Sequence, residues 1–222
     1  MVYVYKTHSN PRKNHLAFSA TTNIILLNII SFIAFTILIY RNAGFLDYIA
    51  LKPSNILAGK YLWTFVTSMF MHAGFFHIFV NMVSLIFIGN LVEKLVGRKR
   101  YFFLYLISGL FAGLFYVLSG LFFSPELNTY AVGASGALFG LIGFLMIITP
   151  NLPVYVMFIP IPVKMKYAAP GILVVLWLIS IAGSVPIGNT AHLGGLIIGV
   201  VYGIYIKGKY KNKTQAIRKY FS

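Results

Sequence analysis

The feature that most constrains this chain is how far it runs without a formal charge. Residues 16–40, 61–92, 101–123, 127–163 and 167–206 contain no Asp, Glu, Lys or Arg. A helix that crosses the hydrocarbon core of a bilayer needs roughly 20 apolar residues, so each stretch is long enough to span and several can hold more than one element. A content of 59% hydrophobic and 9% charged residues points the same way, because soluble domains carry far more charge. The chain is an all-α, polytopic membrane protein.

The last apolar stretch is broken by "GSVPIGNT" (183–190), whose Gly, Pro and Asn mark a turn. Six spans are therefore predicted, near 21–40, 70–92, 101–123, 135–149, 166–182 and 191–207. The apolar but proline-bounded "LPVYVMFIPIP" (152–162) is too short to cross and reads as an interfacial connection. Three regions follow: an N-terminal segment 1–20, a membrane domain 21–207 and a polybasic tail 208–222. The first 20 residues are polar and basic with no small-residue cleavage site, so the first span reads as a retained anchor.

Lys and Arg gather in segments retained on the cytoplasmic side. With the N-terminus inside, inner segments hold 15 of the 18 basic residues, and the outer ones keep only Arg41, Lys52 and Lys60. The net charge of +15 flanks apolar spans instead of covering a folded face, so the expected partner is anionic lipid at the inner surface and not nucleic acid. The tail reads as a disordered or amphipathic basic segment. There is no cysteine, which excludes disulfides and thiolate chemistry.

Ionisable or strongly polar groups inside a bilayer are costly and mark function by default. His72, His77 and Asn81 fall early in the second predicted span, Ser135 opens the fourth and His192 begins the sixth. All three spans run from outside to inside, so these residues converge at one depth. His77 and Asn81, four apart, share a helix face, whereas His72 is turned from His77 by about 140° at 100° per residue. Gly195, Gly199 and Gly203 form a four-residue stripe beneath His192, and Gly136 and Gly140 repeat that spacing beside Ser135. Small-residue stripes let two helices approach closely, which would bring Ser135 and His192 within reach. Taken singly, each has a plainer explanation: Ser in a membrane helix usually serves packing, Phe139 is ordinarily core, and Asn81 could bond between helices. Their convergence argues for chemistry.

The chemistry can be narrowed by supply. No H-E-x-x-H run exists for a metalloprotease, and an aspartyl mechanism needs paired carboxylates, whereas the three acids, Asp47, Glu93 and Glu126, lie in loops or at a span's inner end. No metal or cofactor is expected. A serine nucleophile needs a base and oxyanion donors. His192 can be the base, His77 and Asn81 the donors, and the lack of an orienting acid argues for a Ser–His dyad with the imidazole packed against Phe139.

"GASG" (133–136), "HAGFFHIFVN" (72–81) and "AHLGGLIIG" (191–199), with six spans in this order, resemble the rhomboid family of intramembrane serine proteases. The resemblance implies Ser135 as nucleophile, His192 as general base, and His77 and Asn81 in the oxyanion hole. His72, Gly133, Gly136, Phe139, Gly195 and Gly199 would be supporting residues. It also implies an outer loop 41–69 partly in the membrane, and lateral entry of substrate past the fifth span and the 183–190 loop. The family often shows Trp-Arg in the first loop; here the place reads Trp63, Thr64. The reaction implied is hydrolysis of a peptide bond in or near a transmembrane segment of another membrane protein, after local unwinding of that helix. Six spans with no added seventh or soluble domain are read as a prokaryotic plasma-membrane protein with both termini cytoplasmic. A non-catalytic relative would be expected to lack the Ser or the His. A small transporter would carry polar residues through to the inner side, whereas "LFGLIGFLMII" and "LGGLIIGVVYG" are apolar below the cluster.

Overall fold

The computed structural model describes residues 19–156, 160–183 and 187–221. The segment 1–20 and its basic residues lie almost wholly outside this range, as does the centre of the 183–190 turn. The main helices are α1 (Ala20–Arg41), α2 (Phe75–Val96), α3 (Arg98–Ser119), α4 (Ser135–Ile148), α5 (Met165–Gly183), α6 (Asn189–Lys209) and α7 (Lys211–Tyr220). Between α4 and α5, strands β1 (Pro153–Val154) and β2 (Val163–Lys164) pair antiparallel, Pro153 opposite Lys164. The two ends of the expected interfacial connection are thus held together by paired strands.

Among the described residues, five helices are long and apolar enough to cross a membrane, and α4 is a shorter apolar helix of 14 residues. At 1.5 Å per residue α4 is about 21 Å long, less than a hydrocarbon core of about 30 Å. It needs no more length because it is not a lipid-facing element: eleven of its residues, Gly136 through Leu145 and Ile148, are buried. A helix that is apolar all round belongs in the middle of a bundle, and α4 packs chiefly against α6 and α3.

The α4–α6 contact rests on absent side chains. A Cβ on Gly195 would land on the Gly136 carbonyl oxygen, and one on Gly199 on the Gly140 carbonyl oxygen. The two backbones touch, as the matching stripes predict. On α3, Ala112 fills the space beside Gly136 and Ser108 that beside Gly140.

The basic ends of the bundle meet at one end. Arg100 at the start of α3 donates to the Tyr210 hydroxyl after α6 (2.8 Å). Glu93, in the last turn of α2, accepts from the Ala20 and Thr21 amides at 2.8 Å each, satisfying two of the unpaired N–H groups that open α1. Gly97 reverses the chain between α2 and α3 at φ 83°, a left-handed conformation that favours glycine.

Two spans start elsewhere than expected, and of the two forms expected for the tail the amphipathic one is found. The third span begins at Arg98, because Arg and Lys are good helix formers and a charge-free window cannot register that. The tail is helical as α7, with Thr214 buried and Ile217 packed on the core. The second span begins at Phe75, not near residue 70. Ser68–Phe70 form a 3₁₀ turn that ends in extended backbone at Met71, so His72 precedes the helix and the angle drawn from helical geometry does not apply to it.

Candidate active site

Ser135 is the first residue of α4 and His192 the fourth of α6. The close α4–α6 approach brings His192 Nε2 to 2.7 Å from Ser135 Oγ. The imidazole stacks on Phe139, with ring centroids 4.6 Å apart and planes 20° apart. His192 is buried and its Nδ1 has no partner among the described residues. Packing, not a carboxylate, orients this ring. Ser135 and His77 are only half-buried, which leaves the Ser135 hydroxyl and the His77 ring approachable.

Gly133 sets the distance between His77 and the serine. Its φ is 121°, and a Cβ there would meet His77 Cε1 at 2.8 Å and Nε2 at 2.9 Å, with Ser135 Oγ at 3.7 Å. Only glycine fits both the backbone and the space. His77 Nδ1 accepts from the Ala73 amide (3.3 Å). In a neutral imidazole that puts the proton on Nε2, the nitrogen beside Gly133 and Ser135. Asn81, one turn on and buried, donates one amide hydrogen to the His77 carbonyl (2.8 Å) and keeps a second.

His72 is joined to the cluster from another side. It is fully buried, edge-on to the His77 ring at 5.0 Å, with Nε2 3.5 Å from the Ala134 amide. It buttresses His77 and the turn before Ser135. Of the remaining expected residues, Gly136, Gly195 and Gly199 lie in the α4–α6 seam directly behind the Ser135–His192 pair.

Sequence reasoning missed what braces the turn into α4. Leu51 and Ala131 exchange both backbone hydrogen bonds, Leu51 N–H to Ala131 O at 3.1 Å and the reverse at 2.8 Å, and Gly133 N–H donates to Ser68 O at 2.8 Å. The Tyr130 hydroxyl donates to Asp47 (2.6 Å), which also accepts from Asn55 (2.8 Å). These two bonds hold the Asp47 carboxyl below its usual range, and burial with the neighbouring carboxylate pushes the Tyr130 phenol up to about 12. Glu126 likewise accepts from Ser119 and from Thr190 (3.2 Å), two residues before His192. The scarcity of acids was the available signal: with three in the chain, each has a dedicated donor set.

Known proteins match this architecture. The family model of the Rhomboid domain matches residues 59–209. RHOMBOID-like protein 1 of Arabidopsis thaliana is 38% identical over 69% of this chain and 37% of its own length. RHOMBOID-like protein 6, mitochondrial, of the same plant is 35% identical over 71% of this chain and 48% of its own. Inactive RHOMBOID-like protein 8, also of Arabidopsis thaliana, is 32% identical over 61% of this chain and 36% of its own. The chain spans less than half the length of these curated relatives. They are eukaryotic, so the expectation of a prokaryotic plasma membrane finds no support among them; the apolar helices establish an integral membrane protein. With the profile match covering most of its length and relatives above 30% identity, the chain belongs to the rhomboid family.

Proposed function

We propose that the chain is an intramembrane serine endopeptidase that hydrolyses peptide bonds in or near transmembrane segments of other membrane proteins. The observation that carries this reading is the 2.7 Å contact between Ser135 Oγ and His192 Nε2 across the α4–α6 seam. Ser135 attacks the substrate carbonyl carbon while His192 takes the hydroxyl proton. The oxyanion is met by His77 Nε2–H, the free amide hydrogen of Asn81 and the backbone N–H at the head of α4. His192 then delivers the proton to the leaving amine, and the acyl ester on Ser135 is hydrolysed by water that His192 deprotonates. Because α4 is shorter than the bilayer is thick and begins at Ser135, its serine sits below the membrane surface when its far end lies at the opposite boundary. The basic end of the bundle is assigned to the cytoplasmic side, which puts the site toward the outer leaflet.

A second reading has one observation in its favour, a relative whose name marks it inactive; such a chain would bind membrane-spanning clients without cutting them. One experiment separates the two. Purified protein should be labelled at Ser135 by a fluorophosphonate probe and should cleave a model transmembrane substrate, with Ser135→Ala and His192→Ala abolishing cleavage. Unchanged cleavage by Ser135→Ala would remove the dyad, and absence of both labelling and cleavage in the unaltered chain would favour the client-binding reading.

A further inference from the structure

The end of the bundle remote from Ser135 carries a groove whose chemistry the proteolytic site does not use. It lies between the last turns of α6 and helix α7, has a volume of about 520 Å³, and is lined by Ile204, Lys207, Gly208, Lys211, Gln215 and Arg218. We infer that this groove binds the phosphate headgroup of an anionic phospholipid, with an acyl chain lying along the exposed face of α6 above it. The inference does not rest on the protease reading.

Three observations support it. First, none of the chain's acidic side chains neutralises the groove. The chain has three acids: Glu93 is taken up by the head of α1, and Asp47 and Glu126 are bonded near the turn into α4. The Lys207 and Lys211 side chains are exposed, and their ammonium groups have no hydrogen-bond or ion-pair partner among the described residues.

Second, Arg218 is already fixed in place. Its Nη2 donates to the Ile147 carbonyl at the end of α4 (2.8 Å), and its Nη1 makes no hydrogen bond among the described residues. A guanidinium with one edge anchored and a donor unspent is suited to a phosphate oxygen.

Third, the surroundings select a lipid over a free anion. Ile197, Val201 and Ile204 recur at i, i+4 and i+7 on α6 and are 38%, 57% and 57% exposed. This stripe ends in the groove at Ile204, so apolar surface and cationic surface are continuous, as a phospholipid is. Gly208, where a Cβ would meet nothing within 4 Å, leaves the groove mouth open.

The test uses the full chain, delipidated in a zwitterionic detergent and titrated with phosphatidylglycerol, phosphatidylcholine or inorganic phosphate, with bound ligand counted by native mass spectrometry. Phosphatidylglycerol should bind with about one site per chain and at least tenfold preference over phosphatidylcholine. Each basic residue near an anionic headgroup is worth about fivefold in binding, so Lys207→Gln/Lys211→Gln should weaken it roughly 20-fold. Lys94→Gln/Lys99→Gln removes equal charge at the α2–α3 turn on the same side and should change it less than about threefold. Equal losses in the two double variants would overturn the proposal in favour of diffuse attraction. Equal affinity for both lipids would overturn it without any variant, and competition by inorganic phosphate at the lipid's own concentration would make the groove a free-anion site.

Discussion

The imidazole of His192 lies flat on the ring of Phe139, 4.6 Å between centroids. That single face does the orienting that a carboxylate performs in a triad. Phe139 sits one turn below Ser135 on the same helix, so the element that carries the proposed nucleophile also aims the proposed base. Phe139→Leu keeps apolar bulk but loses the flat face, and an aromatic pair is worth about 0.5–1.5 kcal/mol. The expected outcome is a fall in kcat of about two- to tenfold with KM unchanged, measured on a model transmembrane substrate. A change confined to KM would mean that Phe139 contacts substrate instead of setting the imidazole.

The seam behind the Ser135–His192 contact is less forgiving. A Cβ at position 199 collides with the Gly140 carbonyl oxygen, a backbone atom that cannot rotate aside. Gly199→Ala should push α6 away from α4, lowering the thermal midpoint and the rate of fluorophosphonate labelling together. Gly171→Ala on α5 adds a Cβ to open space and serves as the matched control. Its midpoint should be unchanged or higher, since Ala is the better helix former by up to about 1 kcal/mol.

Asp47 predicts a pH dependence whose sign follows from its hydrogen bonds. The Tyr130 hydroxyl and the Asn55 amide lower its folded-state pKa below the ordinary 3.8. A depressed carboxyl contributes stability above the unfolded pKa and loses it as pH falls through the folded one. Acidification from about pH 5 toward pH 3 should therefore destabilise the unaltered chain more than Asp47→Asn, the difference being modest because the group is partly solvated. Thermal midpoints of both proteins across that range are the measurement. Parallel curves would show that Asp47 gains nothing from Tyr130.

Much of this architecture is legible in the sequence because lipid imposes simple rules. The charge-free stretches mark the helices, and the four-residue glycine stripes on 136/140 and 195/199 mark which two touch, since contact between backbones in a bilayer demands small residues. What is not legible depends on partners remote in sequence. His72 reads as helical because its neighbours are apolar, and only the 3₁₀ turn at Ser68–Phe70 shows that the helix starts later. Asp47 and Glu126 read as ordinary loop acids, because nothing local announces Tyr130 or Thr190 as their donors. The amphipathic face of α7 is present in "KNKTQAIRKY", but its docking under α4 needs the Ile147 carbonyl that Arg218 finds.

Asn81 offers the sharpest test of how the developing charge is met. Its side chain donates one amide hydrogen to the His77 carbonyl, one turn back on α2, so the same residue that would face the oxyanion also steadies the helix turn carrying His77. Removing one oxyanion donor typically costs about 10²–10³ in kcat, less than the loss of a nucleophile. Asn81→Ala should therefore cleave slowly yet still accept a fluorophosphonate at Ser135, because the dyad contact at 2.7 Å does not involve Asn81. Asn81→Asp keeps the shape but replaces the donor by an acceptor, and should be at least as slow as Asn81→Ala. Full activity in Asn81→Asp would exclude the amide from the oxyanion hole and leave it a structural bond within α2. Loss of labelling along with cleavage in Asn81→Ala would show that it acts by holding the site together.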